Sequence, residues 1–237
     1  MKLTIAHLYP DKMNIYGDWG NIVALRKRLE WRGFETEYRA VRIGDKFDFT
    51  SADIVFGGGG QDNGQLLVAQ DLQRQRRSIL KAVENDVVFL SVCGTYQLFG
   101  HSFVTADGAE LPGIGVFNGD TIASNERLIG NVVIGTQWGE VIGFENHSGK
   151  TRLKPGQSAL GRVISGYGNN GEDNFEGAVH KNVFGTYLHG PLLPKNPVLA
   201  DELIKRALAN KGESKELEPI DDELESKAAE TAKQRPQ

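Results

Sequence analysis

Cysteine is nearly missing from this chain: Cys93 is the only one in 237 residues. That excludes an internal disulfide framework and any multi-cysteine zinc site. Long apolar runs are missing too, since no stretch approaches the ~18 residues of a membrane span and the segment after Met1 is shorter than a signal-peptide core. The expectation is a cytoplasmic protein with no membrane insertion. Lys+Arg number 27 against Asp+Glu 31, a net charge of −4, so there is no cationic excess to neutralise phosphates. No nucleic-acid partner is expected. The glycine-rich segment FGGGGQDNG at 56–64 has neither the GxGxxG spacing of a dinucleotide site nor the GxxxxGK[ST] of a Walker loop. ATP hydrolysis by this chain is not expected, and no metal cluster is evident.

What is present is globular composition, 39% hydrophobic and 24% charged, at a length that commonly folds as one domain. Short apolar runs alternate with amphipathic ones through the first half, the pattern of an α/β fold with an open, mostly parallel sheet flanked by helices. Strands are predicted at 2–8, 34–41, 52–58 and 86–92. Asp18 reads as a helix N-cap, with Ile22, Leu25, Arg26 and Leu29 following at helical spacing up to Gly33. A long helix is predicted over 62–84, with Leu66, Leu72, Ile79, Leu80 and Val83 on its apolar side. From 111 onward, GIGVFN, NVVIG, GEVIGFEN, GRVISGYG and NVFGTYLH read as added, partly antiparallel strands. A helix follows over 196–210, capped by Asn196 with Pro197 at its first position. Residues 211–237 carry 5 basic and 8 acidic side chains and no aromatic, which predicts a separate acidic helix or tail that orders on a partner.

Chemistry is concentrated at three places. In SVCGTYQLFG at 91–100 a cysteine ends an apolar strand and Gly94 permits a tight turn into a helix. This geometry exposes a nucleophile at the top of an α/β sheet, beside a helix N-terminus that lowers thiol pKa. A buried structural cysteine at a strand end is the competing reading. Of the five histidines, His189 is in a comparable setting, at the end of NVFGTYLH and before Gly190 and Pro191. A Cys–His pair distant in sequence is the equipment of thiol acyl transfer. The glycine loop at 56–64, directly after a buried strand, can offer backbone N–H groups to an anion or an oxyanion.

Taken together, HLYPDKMNIYGDWGNI (7–22), FGGGGQD (56–62), SVCGTYQLFG (91–100), GFENHSG (143–149), GYGNN (166–170) and GTYLHGPLLPKN (185–196) resemble a class I, triad-type glutamine amidotransferase domain. The likeness covers about 1–210 and is to the branch shared by cobyric acid synthase and the GatD glutaminase subunits of lipid II isoglutaminyl synthase, with ERLIGNVVIG at 126–135 favouring the latter. It implies a flavodoxin-like core in which Cys93 attacks the carboxamide of L-glutamine and His189 shuttles the proton. Gly58, Gly59 and Gly94 would hold the oxyanion, and Arg127 and Gln97 would help hold glutamine. A guanidinium fork matches the substrate α-carboxylate.

The resemblance also implies a heterodimer with a Mur-ligase-like, MurT-like subunit that carries ATP and Mg, uses the ammonia and amidates the D-glutamate of the lipid II stem peptide in peptidoglycan synthesis. This chain itself would need no cofactor. A corrinoid amidotransferase and a non-catalytic anion-binding module of the same fold are the alternatives. Two departures from the family pattern stand out. Thr95, stiff and β-branched, occupies a position where relatives usually have a second glycine after the cysteine. Pro191 stands where a glutamate usually follows the histidine, and 188–194 contains no acid, so a distant carboxylate of this chain, a backbone carbonyl or, as the favoured expectation, an acid of the ligase partner fills the orienting role.

Overall fold

The computed structural model describes residues 1–60, 62–213 and 216–234. The strands are β1 (Lys2–Leu8), β2 (Glu35–Val41), β3 (Ile54–Gly57), β4 (Val88–Val92), β5 (Ser102–Val104), β6 (Glu110–Pro112), β7 (Gly119–Thr136), β8 (Gly139–Leu153), β9 (Gly161–Ser165), β10 (Phe175–Glu176), β11 (Ala178–His180) and β12 (Val183–Thr186). The helices are α1 (Trp19–Glu30), α2 (Asp62–Glu84), α3 (Gly94–Phe99), α4 (Pro197–Asn210) and α5 (Glu223–Lys233).

The core sheet has the order β11-β12-β4-β3-β1-β2, parallel throughout except for β11 against β12. Its two central strands, IVFG and VFLSV, are buried at every residue, which is why they read as unbroken apolar runs. Parallel strands need crossovers, and α1 and α2 supply them for the first half of the sheet. The second half forms a separate, largely antiparallel sheet, β10-β9-β7-β5-β6 with β8 on β7. The two sheets meet where Phe144 of β8 bridges His189, with His189 N–H donating to the Phe144 carbonyl at 2.8 Å.

Four local expectations are corrected. GIGVFN at 113–118 forms no strand: Gly113, Ile114 and Phe117 donate to the carbonyls of His101, Leu98 and Phe99, so the segment seals the end of α3. Leu66 is not in the core of α2 but 47% exposed, beside exposed Leu67, while Val68, Leu72, Ile79 and Val83 carry the buried stripe. Asn196 precedes α4 but makes no side-chain cap bond. Its amide instead clasps β8 and the preceding turn, accepting from Ile142 N–H at 2.8 Å and donating to the carbonyls of Ile142 and Leu192.

The fourth concerns the acidic C-terminal segment, which rests on its own chain rather than waiting for a partner. α5 buries no residue, yet Asp222 at its start pairs with the buried Arg28 of α1 at 2.5 Å and Lys233 at its end pairs with Glu140 at 2.6 Å. Arg28 also holds Asp201 of α4 at 2.6 Å, so one guanidinium fork ties three helices together. Ion pairs dock α5, with the partly buried Leu217 packing ahead of it, and hydropathy does not reveal the pairs. Gln61, residues 214–215 and 235–237 of the glycine-loop motif and tail lie outside the described residues.

Candidate active site

The nucleophile turn is built as the strand–glycine–helix pattern requires. Cys93 directly follows β4 at φ 49° and ψ −106°, a conformation that costs a non-glycine residue energy and that persists only where the surroundings enforce it. The enforcement is visible: Cys93 N–H donates to the Thr186 carbonyl of β12 at 2.8 Å, and its own carbonyl accepts from Gln97 N–H at 2.9 Å. Gly94 opens α3 where a Cβ would stand 2.6 Å from Gln65 Nε2, so no larger residue fits without displacement. As the first residue of a helix it presents an N–H with no partner in the preceding turn.

Thr95 explains itself once the loop at 56–60 is in place. Its hydroxyl donates to the Gly58 carbonyl at 2.7 Å and its N–H approaches the same oxygen at 3.4 Å. Gly57 completes the fit, because a Cβ there would lie 2.5 Å from Thr95 Cγ2. The departure from the usual second glycine is thus matched by a space in the facing loop, and it fastens that loop to the nucleophile turn.

His189 is buried, its ring edge-on to Tyr16 at 5.0 Å between centroids. Tyr16 at φ 53° and Gly17 at φ 78° turn the chain over it. The Nδ1 atom lies 3.4 Å from Oδ1 of Asp18, and Nε2 has no hydrogen-bond partner among the described residues. Asp18 is also fully buried, and its Oδ2 accepts the Gly59 N–H at 2.6 Å. Burial alone disfavours a charged imidazole here, but the Cys93 thiolate and the Asp18 carboxylate outweigh it and raise the His189 pKa well above the ordinary histidine range. Cys93 and His189 are therefore electrostatically coupled across the site.

Within this chain, Asp18 brings a carboxylate to the His189 ring. Pro191, which replaces the usual acid, packs against Gly20, and Asn21 accepts the Leu193 N–H at 2.8 Å. The segment after His189 therefore lies along the start of α1 and brings in a carboxylate 171 residues away. Sequence placed Asp18 at the helix cap, which is correct as a position, yet its side chain makes no cap bond and faces the histidine instead. No local signal distinguishes these uses of an aspartate.

Among the other expected residues, Gly58 and Gly59 line the site. A Cβ on Gly58 would lie 2.8 Å from Asp18 Oδ2, and one on Gly59 would lie 2.6 Å from His189 Cε1. The Gly59 N–H is directed at Asp18 and so does not face an oxyanion. Gln97 is buried, accepting from Gln65 at 2.7 Å and donating to the Tyr187 hydroxyl at 3.2 Å, which leaves it one N–H and one lone pair. Tyr187 continues the network to Thr151 at 2.6 Å and is stacked on His147 at 3.6 Å between ring centroids. Arg127 lies on β7, exposed, where a bulge between Ala123 and Leu128 interrupts pairing with β8; its Nε donates to Asn146 Oδ1 at 2.5 Å.

One buried carboxylate escaped the sequence reading. Glu176 accepts from the Tyr187 N–H at 2.6 Å and from the Thr186 hydroxyl, organising the stretch between the strand that supports Cys93 and the residue His189. Burial pushes its pKa up to about 8.

Residues 4–197 match the model of the CobB/CobQ-like glutamine amidotransferase domain. The chain is 41% identical over 228 residues to the GatD subunit of the glutamine-hydrolysing lipid II isoglutaminyl synthase of Staphylococcus aureus, covering 96% of this chain and 93% of that one. It is 42% identical to the corresponding subunit of Streptococcus pneumoniae, covering 97% and 90%. A cobyric acid synthase of Listeria monocytogenes is 26% identical over 70% of this chain but only 34% of its own length. In structure, PurLQS from Thermotoga maritima superposes with a TM-score of 0.56 at 19% identity, over 89% of this chain and 97% of that one, a likeness of fold. With its strained cysteine turn, facing histidine and glycine loop, the chain belongs to the CobB/CobQ-like glutamine amidotransferase family.

Proposed function

We propose that this chain is the glutamine-hydrolysing subunit of a lipid II isoglutaminyl synthase, delivering ammonia to a Mur-ligase-like partner that amidates the D-glutamate of the lipid II stem peptide. The observation that carries the reading is similarity of 41–42% running nearly end to end with two GatD subunits, together with Cys93 at the strained turn before α3 and a buried His189 whose pKa Cys93 and Asp18 raise. The cobyric acid synthase likeness is weaker and spans about a third of that protein.

In this reading the Cys93 thiolate attacks the carboxamide carbon of glutamine, forming the C–S bond and sending the carbonyl π pair onto oxygen. The Gly94 N–H and the Gly58 segment receive that oxyanion, Gly59 being engaged by Asp18. Collapse breaks the C–N bond as His189 Nε2 gives its proton to the departing nitrogen, so ammonia leaves. Water then attacks the γ-glutamyl thioester, losing a proton to His189, and glutamate departs with the thiolate restored. Arg127 holds the substrate α-carboxylate, and Gln97 uses its remaining N–H and lone pair from the wall. ATP and Mg belong to the ligase, and the two subunits form a heterodimer on the cytoplasmic side. No helix among the described residues is long and apolar enough to cross a membrane.

The test is turnover. The purified chain with its ligase should release glutamate from glutamine, folded Cys93→Ala should release none, and His189→Ala should be slower by at least ~10²-fold. His180→Ala, at an exposed position outside the site, should behave as wild type. Turnover by folded Cys93→Ala would overturn the reading.

A further inference from the structure

The geometry points to Gln65, at the start of α2, as a further positioning residue: its Nε2 donates to Gln97 Oε1 and so fixes which way the Gln97 amide faces the bound substrate. The inference deepens the glutaminase reading and rests on it. Gln65 directly follows the glycine loop and, though polar, is only 2% exposed. Its Nε2 also stands against the nucleophile turn, since a Cβ on Gly94 would lie 2.6 Å from it. Burying a primary amide costs free energy unless it is hydrogen-bonded, and here the bond, at 2.7 Å, runs to a side chain of the site.

A glutamine amide has two orientations, related by a half-turn, that exchange donor for acceptor. Gln97 is held from two sides. Its Nε2 donates to the Tyr187 hydroxyl at 3.2 Å, but a hydroxyl can donate as well as accept and would take either orientation of the amide. An N–H only donates, so the Gln65 Nε2 decides: Gln97 Oε1 turns toward α2 and Nε2 toward Tyr187. The order runs on from there. Burial keeps the Tyr187 phenol protonated, so while it accepts from Gln97 it has its own hydrogen for Thr151 Oγ1 at 2.6 Å, and Thr151 meets Thr121 at 2.7 Å. The Tyr187 ring is fixed by stacking on His147, and Gly149 leaves room for the amide, since a Cβ there would lie 2.4 Å from Gln97 Nε2.

The site thereby gains a Gln97 amide whose spare N–H and spare lone pair stand at fixed places. Without the Gln65 donor the two orientations mix, and the fraction turned the wrong way sets donor against donor and acceptor against acceptor. That penalty falls on binding of glutamine and not on the chemistry at Cys93.

Gln65→Met keeps the bulk of the side chain and removes the donor. Measured on the full chain in complex with its ligase, it should raise KM for glutamine roughly tenfold with kcat within about threefold, and weaken glutamine binding to folded Cys93→Ala in calorimetry by the same factor. Gln70→Met, exposed on the same helix, should leave both unchanged. Tyr187→Phe breaks the chain at the other end of Gln97. Separate supports would multiply, to about 100-fold in the double variant, whereas one directed chain broken at either end gives little more than tenfold. Gln65→Glu guards against a folding failure: it keeps size and polarity, but as a carboxylate it only accepts, so it draws Gln97 Nε2 to itself, turns the amide over and raises KM likewise. Unmoved KM in folded Gln65→Met or Gln65→Glu, or factors that multiply in the double variant, would overturn the inference while wild-type turnover leaves the functional reading standing. A wild type that neither binds nor hydrolyses glutamine would bring down both.

Discussion

Gly59→Ala isolates the geometry of the base without touching its chemistry. The added Cβ would lie 2.6 Å from His189 Cε1 and 3.0 Å from Ile15 Cγ1, whereas ordinary contact begins at 3.4 Å. Relief requires the ring to retreat by about 0.8 Å, the difference between the first and last of those distances, because the loop is held from behind by Asp18 and Thr95. A displacement near 1 Å of a reacting group costs on the order of 10²-fold in rate. Overpacking of this kind costs about 1–3 kcal/mol in stability, so the variant should remain folded at 25 °C if the protein is of ordinary stability. Initial-rate glutaminase assays on the complex, paired with thermal melts, would measure both. Gly135→Ala is the control, since its Cβ meets nothing closer than 3.5 Å and lies on the other sheet. A folded Gly59→Ala with wild-type kcat would refute the claim that the glycine exists to admit the histidine.

Three further outcomes follow from the same contacts. Arg127→Ala should raise KM for glutamine about 10- to 100-fold with kcat retained, the effect of losing a charge-assisted pair of ~1.5–3 kcal/mol, and an unchanged KM would leave Arg127 a surface residue. Thr95→Ala should lower stability by about 0.5–3 kcal/mol, through loss of the hydroxyl bond to the Gly58 carbonyl, and lower kcat as the loop loosens; chemical denaturation and initial rates check it. Glu176 has a pKa of about 8 folded and an ordinary one unfolded, so between these values the native state binds more protons and stability falls as pH rises. Glu176→Gln should flatten that decline in melts from pH 5 to 8, and a parallel decline in both proteins would contradict the assignment.

How far the sequence reaches is clearest at particular residues. β4, Cys93 and Gly94 were legible because a buried parallel strand is apolar throughout and the turn after it demands glycine. The bounds of α2 followed from its apolar period, but Leu66 did not belong to the stripe: it is exposed, while the polar Gln65 beside it is the residue buried in that turn. β7 and β8, of 18 and 15 residues, read as separate short runs because a bulge and polar residues interrupt their alternation. Asp18 was seen as a cap and not as the partner of His189, because that meeting depends on Pro191 docking to α1, a tertiary contact with no periodicity. The clasp of α5 was invisible for the same reason: its pair with Arg28 joins residues 194 apart.

The central claim is that Cys93 releases the amide nitrogen of glutamine for transfer to lipid II. Incubating the chain and its ligase with ATP, Mg, lipid II and glutamine labelled with ¹⁵N at the amide, then weighing the stem peptide by mass spectrometry, tests it most directly. The account predicts a labelled amide with wild-type protein, none from glutamine with Cys93→Ala, and restored amidation when free ammonia is added to Cys93→Ala. Labelled product formed from glutamine by folded Cys93→Ala would contradict it.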